Sequence, residues 1–198
     1  MSKAILPRLA PTCGIVFPIA MFLAAGNGNH FAPWRAIAST WALLLFLPFV
    51  AYLCALLGRA ASDAGWLATT ALVAGVSGVV LKLMSHAPEL AIHHDHLAKG
   101  TPLYKALDHM AGAATILSLY PLALCVAAVA VIVLRTRVLP RWIGMFAALT
   151  AVALAINGGF VFAGFVPGLL VFLLWTLVTG IVLLRQSWAG STEVAYAT

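Results

Sequence analysis

The sequence predicts an all-α fold, a polytopic membrane bundle of six transmembrane helices, and three observations carry that prediction. Of the 198 residues, 64% are hydrophobic and only 8% are charged, far outside the composition of a soluble domain. The mean hydropathy is +1.07. Apolar runs of about 20 residues, the length that crosses roughly 30 Å of hydrocarbon as a helix, recur along the whole chain. Residues 1–198 therefore read as a single transmembrane domain with no room for a soluble one.

The first span, near 11–26, is the shortest. Its apolar stretch from Thr12 to Ala25 contains Pro18 and follows Lys3 and Arg8. That order resembles a signal peptide, but the segment is read as a span whose inner end is extended by residues around a snorkelling Arg8. Spans two and three lie near 39–58 and 66–86, with Pro48 expected to kink the second as Pro18 kinks the first. Thr101-Pro102 reads as a cap and first-turn proline, so the fourth span, near 104–134, begins early and runs from Pro102 to Leu134. Its length of about 50 Å exceeds the hydrocarbon, and the helix should stand out of the bilayer. Spans five and six lie near 142–163 and 166–185. Residues 85–110 form the one long connection. Pro88 suits a helix start and Gly100 a helix end, so a short amphipathic helix is expected over 88–98, within the outer loop 85–101.

Lys and Arg set the orientation. Lys3, Arg8, Arg59, Arg135, Arg137, Arg141 and Arg185 fall on one side, and Arg35, Lys82, Lys99 and Lys105 on the other. The richer side is cytoplasmic by the positive-inside rule, which puts both termini in the cytoplasm of a cell whose inner (plasma) membrane holds the protein. Trp34 and Trp41 then mark the outer interface, and Trp66, Trp142 and Trp188 the inner one. Trp175 falls mid-span, in packing or a cavity wall. The net charge of +6 is scattered between apolar runs, which excludes a nucleic-acid surface. Cys13, Cys54 and Cys125 lack CxxC spacing and lie in apolar runs, which argues against a disulfide framework.

All six histidines, including His30, fall at or near the outer face, and this argues against a haem-threading bundle. Four neighbours in LAIHHDHLAKG suggest metal chemistry. His93 and His96, three apart, would share one face of the short helix. His94, His86, His109 and Asp95 are the further ligand candidates for zinc or copper. A solvated loop is the leading reading, a metal site the second and a protonation switch near pH 6 the third. Within the spans, Lys82 and Asp108 are expected to pair, and with Asn157 to line an outward-facing polar cavity. A purely structural ion pair ranks ahead of a ligand site for these residues. GVSG, Gly75 to Gly78, matches the GxSG of rhomboid proteases, yet no histidine follows His109 to complete a catalytic dyad. No residue stands out as catalytic, and an enzyme ranks third among the functional classes.

RTRVLPRWIG, Arg135 to Gly144, resembles a widespread group of uncharacterised bacterial integral membrane proteins, a family of unknown function. Its members carry R-T-x-x-L-P-R-W-[I/L]-G between their last two helix pairs. The last third of the chain resembles the group strongly, and the six-helix layout loosely. The resemblance implies fold and location and supplies no activity.

Two functions follow from these residues. In the first, the cavity and histidine loop receive a metal ion or small ligand for sensing, delivery or transport. In the second, the chain is a non-catalytic accessory subunit packing against a membrane partner protein or a second copy. Beyond these, the bilayer itself is the partner. The topology is checked by labelling an Ala98→Cys variant with an impermeant thiol reagent: intact cells should label, and labelling only after the cytoplasmic side is opened would reverse the assignment.

Overall fold

The structure, a computed structural model, describes residues 6–25, 33–61, 63, 65–160 and 167–195. Six helices account for almost all of them: α1 (Leu6–Ala25), α2 (Pro33–Ala60), α3 (Gly65–His94), α4 (Pro102–Thr136), α5 (Arg141–Phe160) and α6 (Pro167–Ala195). Five, α2 to α6, are long and apolar enough to cross a membrane, while in α1 the apolar stretch is the shorter Arg8–Ala24. By length and composition the chain is a multi-pass membrane protein. His30 lies outside the described residues.

Each helix packs on its sequence neighbour and α1 packs on α6, so the six close into a ring, with the most extensive contact between α3 and α4. Short connections make the neighbours antiparallel. Lipid supplies no hydrophobic drive between helices, so association rests on close packing. An aromatic triangle provides much of it, with ring centroids of Phe17 and Phe46 5.2 Å apart, Phe46 and Phe172 5.5 Å, and Phe17 and Phe172 6.2 Å. It ties α1, α2 and α6 together, each ring pair contributing about 0.5–1.5 kcal/mol beyond its burial. Trp175 is buried and stacks on Phe172. The other described tryptophans face outward near helix ends, Trp34 and Trp41 on α2 at the end shared with the α3–α4 connection, and Trp66, Trp142 and Trp188 at the opposite end. That is the distribution of interfacial anchors. Arg8 lies over the Trp188 ring at 4.8 Å, joining the start of α1 to the end of α6.

The fourth helix starts as its sequence predicts. Thr101 caps it by accepting from the Tyr104 N–H at 3.3 Å, Pro102 occupies the first turn, and the helix ends where Arg137 turns left-handed at φ 56 and donates its N–H to the Val133 carbonyl. Its 35 residues make it about 52 Å long.

The expected short helix over 88–98 does not form. Instead α3 runs without a break through Pro88 to His94. Pro88 deprives the Met84 carbonyl of its N–H donor, but Ser85 and His86, just before it, are buried against the bundle and hold the register. The stop comes at His96, not Gly100. His96 takes a left-handed φ of 48, its N–H reaches the His93 carbonyl at 3.3 Å, and the Leu97 N–H reaches the Ile92 carbonyl at 3.1 Å. This paired pattern is the Schellman motif that satisfies orphan carbonyls at a helix end. Gly100 serves the next bend, a turn closed by the Thr101 N–H on the Ala98 carbonyl, where its φ of +92 favours glycine.

Two stability measurements follow. Pro88→Ala restores a donor to Met84 and should stabilise the purified protein by roughly 2 kcal/mol after allowing for the unfolded-state entropy that proline removes. His96→Gly relieves the left-handed backbone and should add about 0.5–1 kcal/mol. Thermal unfolding in detergent reads both, and destabilisation by either change would contradict the α3 geometry.

Candidate functional site

A cavity of about 80 Å³ lies at the centre of the ring and is walled by all six helices. Phe17 and Met21 come from α1, Leu43 from α2, Lys82 from α3, Thr115, Ser118, Leu119 and Leu122 among others from α4, Asn157 from α5, and Leu169 and Phe172 from α6. The walls are mostly hydrocarbon. Lys82, Thr115, Ser118 and Asn157 are the polar exceptions.

Lys82 reaches the site because α3 and α4 pack closely. Its Nζ donates to Thr115 Oγ1 at 2.9 Å. The expected partner was Asp108, and the two make no ion pair: Asp108 is exposed and does not line the cavity. Antiparallel register explains the difference. With Lys82 level with Thr115, a residue seven positions earlier on α4 sits about 10 Å further toward the α3–α4 connection. Asp108 is therefore level with Glu89, with which it interacts electrostatically, and Glu89 in turn acts on Lys82 from along its own helix. Glu89 thus stands where Asp108 was expected to act.

Asn157 is 5% exposed. Its Oδ1 accepts from the Gly168 N–H at 3.4 Å, which fixes the orientation of the amide, and its Nδ2 is buried without a hydrogen-bond partner among the described residues. Gly168 allows this contact. A Cβ there would sit 2.6 Å from the Ala153 carbonyl oxygen and 2.9 Å from Asn157 Cβ. Ser118 Oγ donates to the Thr115 carbonyl at 2.6 Å, so its proton is engaged within its own helix.

One turn along α3 from Lys82, His86 is 7% exposed and bridges to α2. Its Nε2 lies 3.2 Å from Ser39 Oγ and its Nδ1 3.2 Å from Thr40 Oγ1. Ser39 Oγ is also 3.0 Å from the Ala36 carbonyl, and the tautomer of His86 sets which ring nitrogen donates and which accepts. Both nitrogens are occupied, which removes His86 from the proposed metal set.

The remaining histidines do not assemble either. His93 is near the end of α3 and His96 is in the cap beyond it, with ring centroids 6.3 Å apart. His94 Nδ1 contacts Asp95 Oδ1 at 2.9 Å, and both side chains are largely in solvent, where such a pair contributes little. His109 is exposed on α4. Among the described residues, no three His, Cys, Asp or Glu side chains come together to hold a metal ion. For the expected zinc or copper centre at His86, His93, His94, Asp95, His96 and His109, the described residues bring His93 and His96 together as neighbours but add no third ligand to them, with His94 on Asp95, His109 on α4 and His86 against α2.

Of the expected cavity residues, the structure brings Lys82 and Asn157 to one site and leaves Asp108 out. Thr115, Ser118, Ser39 and Thr40 were not singled out as partners in the sequence. Their signal is the register of hydroxyls on α2 and α4 opposite the polar residues of α3. In comparisons with known proteins, no family model, curated protein or solved structure matches the chain significantly.

Thr115→Val leaves the Lys82 ammonium without its hydroxyl acceptor and should cost about 1–3 kcal/mol. Adding Lys82→Met should recover most of that loss, the signature of a coupled pair. Additive losses in the double variant, read by thermal unfolding, would show that the two groups do not interact.

Proposed function

We propose that this membrane protein binds a small solute in the cavity between its six helices, for sensing, delivery or transport. The observation that carries this reading is the cavity itself, which side chains from all six helices wall, Lys82 and Asn157 among them. The volume of about 80 Å³ exceeds the roughly 10–15 Å³ that one water molecule requires. It is small beside the ~300–1,000 Å³ of sites for drug-sized ligands, so the guest is compact.

The distribution of Lys and Arg supports a cytoplasmic location for both termini in the inner (plasma) membrane, with the α3–α4 connection outside. The Arg135 to Gly144 loop supports grouping the chain with the bacterial membrane proteins it resembles. In that loop Pro140 leads into α5 and Trp142 is exposed at its start.

A thermal-stability screen of the detergent-purified protein against compact anions, cations and neutral solutes tests the reading. Saturable stabilisation by at least one solute is expected, growing with concentration as RT ln(1 + [L]/Kd). It should disappear in Leu119→Phe, which fills the cavity. A solute that stabilises both proteins equally acts elsewhere, and a complete lack of response in the parent protein would remove the binding function.

A further inference from the structure

Resting on the cavity reading, we infer that the solute is small, uncharged and apolar, a nonpolar gas or a hydrocarbon of about two or three carbons. Three properties of the cavity select this class. The first is its surface. Lys82, Thr115, Ser118 and Asn157 stand in the wall, yet what the wall offers to the open space is almost entirely carbon. Their hydrogen bonds are made within the protein: Lys82 Nζ donates to Thr115 Oγ1, Ser118 Oγ donates to the Thr115 carbonyl, and Asn157 Oδ1 accepts from the Gly168 N–H. Asn157 Nδ2 is buried away from the space. An ion entering here loses its hydration and recovers little for it. A water molecule requires about two to four polar partners, and among the described residues the wall does not supply them.

The second property is size. The volume is about 80 Å³. An apolar cavity of about 150 Å³ takes up benzene or xenon, so one of about half that volume fits xenon but excludes an aromatic ring. A guest of this class also partitions from water into hydrocarbon, and the bilayer therefore concentrates it beside the bundle.

The third property is that the wall is held in place. Phe17 and Phe172 belong to the aromatic triangle with Phe46, and Phe172 is backed by Trp175. Leu122 is seated closely on α3, where a Cβ added at Gly78 would sit 2.6 Å from its Cγ. Side chains packed this closely from behind do not move inward to fill the space. The carbon atoms around it lack contacts on one side, and an apolar guest supplies them.

The test is xenon NMR of the full-length protein in lipid nanodiscs, with cyclopropane, acetamide and acetate as competitors. Thermal unfolding of the same samples reads binding of the competitors themselves. A saturable xenon signal distinct from that of xenon in lipid is expected, displaced by cyclopropane and unaffected by equal concentrations of acetamide or acetate. Leu119→Phe, which fills the cavity, should weaken xenon binding at least tenfold. Leu119→Ala, which enlarges it, should keep xenon and bind benzene at least tenfold tighter than the parent protein does, so the site is still tested if the phenylalanine variant fails to fold. Acetamide or acetate bound in preference to cyclopropane, and lost in Leu119→Phe, would overturn the apolar assignment and leave the small-solute function standing. Xenon binding unchanged in Leu119→Phe, with no gain of benzene in Leu119→Ala, would place xenon outside the cavity and overturn the assignment as well. If neither xenon nor any competitor binds the parent protein, both the ligand class and the cavity reading fail.

Discussion

The structure turns on one ammonium group. Lys82 is a cation inside a bundle with few charges, and such a group within a spanning segment requires a partner or water. Its satisfaction constrains its neighbours. Thr115 must lie within hydrogen-bond reach on α4, so α3 and α4 pack closely over their length. Ser85 and Ser118 return their hydroxyl protons to the carbonyls of Lys82 and Thr115 on their own helices. The cavity beside them is left with a wall that is mostly hydrocarbon.

The fold class was legible because lipid removes the alternatives. A chain this apolar has to satisfy its backbone within each spanning segment, and only helices or closed barrels do so. Helix starts were legible where a cap and a proline coincide, as at Thr101-Pro102. Lys82 and Asn157 were legible for a related reason: a charged or amide side chain inside an apolar run must find a partner or a cavity. The partners themselves were not. Thr115, Ser39 and Thr40 have the side-chain type that bonds its own helix, as Thr150 and Thr176 do here with Phe146 and Phe172, so nothing in their local sequence marks a cross-helix contact. Asp108 was misplaced because distance from a helix end does not fix the register of an antiparallel pair.

The histidine cluster illustrates a different limit. In one dimension His93, His94, Asp95 and His96 form a compact set of ligands. In three dimensions they straddle a helix terminus, and the left-handed backbone at His96 sends the chain off the axis on which their spacing was read. Histidine is among the residues that enter this region more readily than most, yet Gly100, four residues on, is the stronger stop signal by composition. The helix ends earlier, and Gly100 shapes the following turn. His86, by contrast, does lie on the continuous helix with His93, and contact with α2 converts it from a candidate ligand into a bridge between helices.

The central claim is that Lys82 and Asn157 face a site made for a guest rather than a gap in the packing. An experimental density map of the protein in lipid, at a resolution that shows ordered solvent, tests it most directly. The account predicts non-protein density inside the cavity that Lys82 and Asn157 line. A dry cavity collapsed onto its apolar wall would contradict it.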